Sequence, residues 1–146
     1  MTQAEFATDP ASASSGPFPS LWLEQARTRA SHEGRKLIEV LDERTNLPPA
    51  QFMARLGQTL NYPVFDMEAL YRLQPAFDLL PFTDAMQKNC VLVRDDNALL
   101  CVLADPFDLA LQAWIETRCN VLLAWGITHS NNLSAFFAMQ EETLRA

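Results

Sequence analysis

Residues Cys90 to Gly126 read CVLVRDDNALLCVLADPFDLALQAWIETRCNVLLAWG, and this stretch decides the fold. Cys90 to Arg94 is a short apolar run that stops at Asp95-Asp96-Asn97. A polar, turn-prone cluster between two apolar runs predicts a hairpin. Leu99 to Leu103 has no polar interruption, the pattern of a strand covered on both faces. Ala104-Asp105-Pro106-Phe107-Asp108 then reads as a helix start: Asp105 accepts first-turn amides, Pro106 sits at the first helical position, and Asp108 adds favourable negative charge. Leu111, Trp114 and Ile115 share one face of that helix. The apolar run Val121 to Trp125 predicts another strand, so the unit is strand, turn, strand, helix, strand.

Upstream of this unit apolar residues recur at helical spacing. A helix is expected from Ser20, its cap, to about Glu33, with Trp22, Ala26 and Ala30 on one face and Gly34 as the stop. A second is expected from about Arg35 to Arg44, burying Leu37, Ile38 and Leu41 and turning Glu39, Asp42 and Glu43 to water. A third begins near Pro49 with Phe52, Leu56 and Leu60. Asn61-Tyr62-Pro63 ends it, Val64-Phe65-Asp66 is an extended link, and short helices follow near Met67–Arg72 and Thr83–Lys88. After the loop THSNN a last helix, about Leu133 to Leu144, covers the sheet with Phe136, Phe137 and Met139. Residues 1–19, rich in Ala, Ser, Thr, Pro and Gly, read as a disordered tail. The expected fold is α+β: a helical part over about 20–61, then an α/β part over about 62–146. That second part holds a small mixed sheet, strands near 90–94, 99–104 and 121–125, flanked by helices.

With 146 residues, 49% of them hydrophobic, the chain buries a core without metal or disulfide support. A net charge of -7 repels a phosphate backbone, so no nucleic acid is expected as a partner. Cys90, Cys101 and Cys119 lie in or beside apolar segments, which reads as buried thiols in a reducing cytosol. MTQAEFATDP has no basic region followed by an apolar stretch, and no window is long enough to span a bilayer. The chain therefore reads as cytoplasmic, recruited to a membrane face only through a partner.

Catalysis is not expected. There is no GxxxxGK[ST] loop, and Gly16, Gly34, Gly57 and Gly126 are too scattered to cradle phosphates. His32 and His129 lie far apart without cysteine or carboxylate at ligand spacing, so no metal and no cofactor are expected. Asp105 and Asp108 are accounted for by helix capping.

ADPFD at 104–108, with LLPFTDAMQKNCVLVR before it and NVLLAWG after it, resembles the N-terminal domain of the type II secretion and type IV pilus assembly ATPases, the GspE/PilB family. The resemblance runs over about residues 20–140. It implies a domain that docks a motor onto the cytoplasmic part of an inner-membrane platform protein, with the ATPase activity elsewhere in the family's full-length members. The helical part is the candidate surface, because Trp22, Leu23, Arg27, Arg29, Arg35 and Arg44 mix aromatic and guanidinium groups as interfaces do. Similar domains accompany membrane glycosyltransferases, so a polysaccharide-exporting machine is a variant of the same reading.

Some members of the family bind cyclic di-GMP through an arginine-leucine-glycine triplet, a second glycine in the next loop and a glutamine closing the next helix. On this chain those positions fall on Lys36-Leu37-Ile38, Thr45 and Thr59. Lysine meets a phosphate as a point charge but lacks the flat bidentate fork, and side chains replace both glycines. Docking is therefore placed first. A cyclic di-GMP-sensing module, served by Lys36 with Arg35 as a substitute, is the alternative.

Overall fold

The computed structural model describes residues 16–145, which divide into two compact units at Tyr62/Pro63. A helical N-terminal region is followed by a four-stranded mixed sheet flanked by helices. Residues 1–15 of the expected tail lie outside the described residues.

The first unit contains α1 (Ser20–Glu33), α2 (Leu37–Thr45) and α3 (Pro49–Leu60). Each ends on a left-handed residue: Gly34 at φ 64°, Asn46 at φ 52° and Asn61 at φ 59°. Glycine and asparagine are the residues that adopt this conformation at least cost, and each turns its amide back onto the preceding helix. Two starts differ from expectation. Ser20 is the first helical residue, with Pro19 at the cap position and no side-chain cap bond; α2 begins at Leu37, with Lys36 extended before it. Trp22, Ala26 and Ala30 are buried as expected, whereas the second helix buries Val40 and Leu41, leaving Leu37 and Ile38 half-buried.

Composition assigns Gly16–Pro19 to the tail, yet Phe18 is only 4% exposed. Its ring lies 5.5 Å from that of Phe52 and 6.0 Å from that of Trp22, and its amide donates to Thr59 Oγ1 at 2.8 Å. One large aromatic among small polar residues suffices, since burying a phenylalanine contributes about 2 kcal/mol. Arg55, 1% exposed inside α3, completes the arrangement by donating from Nε to the Gly16 carbonyl (2.9 Å) and from Nη2 to that of Pro17 (3.3 Å).

The second unit runs α4 (Met67–Tyr71), β1 (Gln74–Pro75), α5 (Phe82–Lys88), β2 (Cys90–Asp95), β3 (Ala98–Leu103), α6 (Leu109–Cys119), β4 (Ala124–Ile127) and α7 (Ser130–Arg145). The sheet order is β1-β2-β3-β4, antiparallel in its first two pairs and parallel between β3 and β4. Asp95 opposes Ala98, so Asp96-Asn97 make the hairpin turn, with Asp96 at φ 57°. Val91, Val93, Cys101, Val102 and Leu103 are fully buried, and α6 and α7 add Ile115, Leu133 and Phe136 to the core.

Three local expectations are corrected. The helix after ADPFD starts at Leu109: Asp108 is its cap, accepting from the Leu111 amide at 3.0 Å, while Asp105 closes the preceding turn by accepting from Phe107 N at 3.1 Å. Pro106 thus lies in the turn, where its carbonyl accepts from Gln112 Nε2 at 2.9 Å. The last strand is Ala124–Ile127, and the apolar run before it is exposed, Leu122 to 95%. Its register is fixed by Ile127, which opposes Leu103 and exchanges backbone bonds with Pro63 and Phe65 on its other side. A one-residue slip would turn that buried side chain to water. Finally, α7 begins at Ser130, three residues before its apolar stripe, with the preceding His129 Nδ1 accepting from Asn131 N at 3.1 Å.

Candidate functional site

The sharp turn at Gly34 brings the end of α1 beside the solvent face of α2, and Arg35 bridges the two. Its guanidinium donates from Nη1 to Glu33 Oε1 (3.2 Å) and to Glu43 Oε1 (3.2 Å), and from Nη2 to Glu43 Oε2 (2.7 Å). Two parallel bonds to one carboxylate form a fork, the strongest neutralisation a guanidinium receives from a single side chain. These bonds raise the Arg35 pKa and hold the Glu43 carboxyl below the ordinary glutamate value. Both groups therefore stay charged and paired at neutral pH. An incoming anion must displace Glu43 before it takes the Nη1/Nη2 edge of the fork.

Of the remaining nucleotide positions, Thr45 and Thr59 are held by internal contacts, Ile38 is filled by a side chain, and Lys36 stays exposed. Lys36 is exposed at the cap of α2, and its carbonyl accepts from Val40 N at 3.2 Å. Ile38 places a half-buried branched side chain in the first turn, where the family's triplet has glycine. Thr45 is the last residue of α2 and donates to the Asp42 carbonyl at 3.2 Å; the left-handed position falls on Asn46 instead. Thr59 Oγ1 accepts from Phe18 N and donates to the Arg55 carbonyl at 2.7 Å, so it serves the core of its unit.

The candidate docking residues separate. Trp22 is 3% exposed and belongs to the interior, which corrects its assignment to a partner-binding surface: its periodic partners Ala26 and Ala30 and the covering Phe18 close over it. Leu23 is half-buried. Arg29 pairs with Glu33 at 3.6 Å and so joins Arg35 and Glu43 in one chain of ion pairs. Arg44 lies beside Arg29 along a groove of about 500 Å³, and burial together with that neighbouring cation lowers its pKa. Arg27 is two residues from Arg29, hence on another side of α1, and is exposed.

Two features escaped the sequence. Arg55 stands between Phe52 and Leu56 on an otherwise apolar helix face, and a cation there is the signal that it is buried with partners. The other is an apolar groove of about 720 Å³ between the β2–β3 hairpin end and Val121–Ala124, lined also by Leu79. The exposure of Val121 and Leu122 was hidden because their composition reads as strand.

The MshEN domain model matches residues 60–139, more than half of the chain. The chain belongs to the MshEN domain family. A solved structure of MshE with cyclic di-GMP is similar at a TM-score of 0.62 and 27% identity, covering 82% of this chain and 87% of that one. No curated protein matches the chain. The family is that expected from ADPFD and its flanks, the N-terminal domain of GspE/PilB-type ATPases. The matched span of this MshEN domain begins after Thr59. It therefore excludes the positions on which the cyclic di-GMP contacts were placed.

Proposed function

We propose that this MshEN-family chain is a non-catalytic docking module that attaches a cytoplasmic motor or synthase to an inner-membrane secretion or pilus-type assembly. The observation that carries the reading is the Arg35–Glu43 fork. With that guanidinium engaged, Ile38 and Thr45 standing where the family's motif has glycine, and Thr59 bound within its own unit, what is left to meet a nucleotide phosphate is the point charge of exposed Lys36, which supports docking over sensing. What the chain offers a partner is surface. Among the described residues no helix is long and apolar enough to cross a membrane, which agrees with recruitment through a protein.

A second reading is favoured by the similarity to MshE with cyclic di-GMP: a regulatory module that senses the nucleotide. Both are tested on the purified cytoplasmic fragment of a platform protein encoded beside the gene, with binding measured by interferometry. Docking predicts binding of micromolar strength that is unchanged by cyclic di-GMP. Absence of binding to fragments of every neighbouring envelope protein contradicts docking; binding only when the nucleotide is present supports the sensing reading.

A further inference from the structure

We infer that the groove between the β2–β3 hairpin end and Val121–Ala124 seats an extended segment of a partner protein in which apolar and basic residues alternate. The inference rests on the docking reading and names its surface. Parity along the sheet is the first observation. Thr128 N donates to the Leu103 carbonyl at 3.0 Å, so Leu103, Cys101 and Leu99 direct their backbone groups toward β4, since these groups alternate sides along a strand. β4 begins only at Ala124, opposite Leu100. The Leu99 amide therefore points into the groove, and no backbone bond joins it to Val121, Leu122 or Leu123.

The second observation is the wall of the groove. Leu79 (39% exposed), Val121 (50%) and Leu122 (95%) carry their side chains to water around that amide, together with half-buried Leu99 and Leu123. An exposed apolar rim around unpaired strand backbone is what an added strand uses, backbone bonds giving affinity and alternate side chains giving selectivity. This unit already accepts such an addition once, where Phe65 donates to the Ile127 carbonyl and Ile127 to that of Pro63, both at 2.9 Å. Charge selects the occupant. Arg94, the cation in the lining, is forked to Asp78 at 3.0 and 2.8 Å, whereas Asp96 in the lining and its neighbour Asp95 form no ion pair. The rim is acidic, so the complementary segment carries lysine or arginine.

The test is titration of the isotope-labelled chain with a decapeptide alternating valine and lysine, followed by amide shifts, with a valine–glutamate decapeptide as control. Saturable shifts at Leu99, Leu122 and Leu123 are expected with the basic peptide alone, weakened about tenfold by Leu122→Ser, which removes apolar surface without adding charge, and also weakened by Asp96→Asn, which removes charge and tolerates the positive φ of that turn position. Leu122 is exposed, so Leu122→Ser folds as the parent does, checked by near-ultraviolet circular dichroism. Equal response to both peptides, shifts confined to other residues, or affinity unchanged in Leu122→Ser overturns the inference. So does a concentration-dependent dimer that Leu122→Ser dissociates, because the groove then seats a second copy. A platform fragment that binds parent and Leu122→Ser equally leaves docking standing and removes this surface from it.

Discussion

Replacing Arg55 by alanine is expected to lower the stability of the helical unit by about 3 kcal/mol, measured by urea unfolding followed through tryptophan fluorescence. Its side chain does two things that alanine cannot. It holds the Gly16 and Pro17 carbonyls from within α3, and its guanidinium lies 4.6 Å from the Phe18 ring centroid and 5.3 Å from that of Trp22. Removing it leaves part-buried acceptors without their donors and takes the support from under Phe18. Arg55→Lys keeps the charge but lacks the planar fork, so it recovers less than half of the loss. In both variants the Pro17–Phe18 bond is expected to become cleavable by a nonspecific protease that spares it in the parent. A change below about 0.5 kcal/mol, the range of ordinary surface substitutions, would show that segment 16–19 does not depend on Arg55.

The second large effect is at Gly126, where the reason is space and not backbone angle. A Cβ there falls 2.5 Å from Phe65 Cε2, 3.1 Å from Cδ2 and 3.4 Å from the Pro63 carbonyl. The Phe65 backbone is held in place, its amide bonded to Ile127 O and its carbonyl accepting from Thr128 Oγ1 at 2.7 Å, so relief requires its ring to leave the position it packs in. Gly126→Ala is therefore expected to cost about 2 kcal/mol, as overpacking does. In a Phe65→Ala background the same substitution should cost at least about 1 kcal/mol less, since the atoms it meets are gone. Equal costs in the two backgrounds would refute the steric account.

The sequence made legible those elements whose local preferences and tertiary environment agree. Cys90–Asp95 and Ala98–Leu103 are apolar runs parted by a turn cluster, and they form the central hairpin. Gly34 and Pro49 mark helix ends as their backbone preferences require. Legibility fails where a distant contact decides. Val121–Leu123 have strand composition, but Ile127 sets the register through Leu103 and Pro63, so pairing begins after them. Phe18 lies in a stretch of tail-like composition and is drawn in by Phe52, Trp22 and Arg55, which are close only after folding. Asp105 and Asp108 both fit the cap consensus, and Pro106 between them fits either a helix start or a turn.

The candidate site shows the same division. Loss of the arginine and both glycines of the nucleotide motif at Lys36, Ile38 and Thr45 is visible letter by letter. Arg35 reads as a substitute phosphate ligand, because only the fold reveals that Glu33 and Glu43 have taken its fork.

Isothermal calorimetry of the parent chain with cyclic di-GMP tests the central claim most directly. Docking without nucleotide control predicts no saturable heat at ligand concentrations up to about 100 μM, a dissociation constant weaker than that bound. A saturable isotherm of micromolar strength that Lys36→Ala or Arg35→Ala abolishes would contradict it.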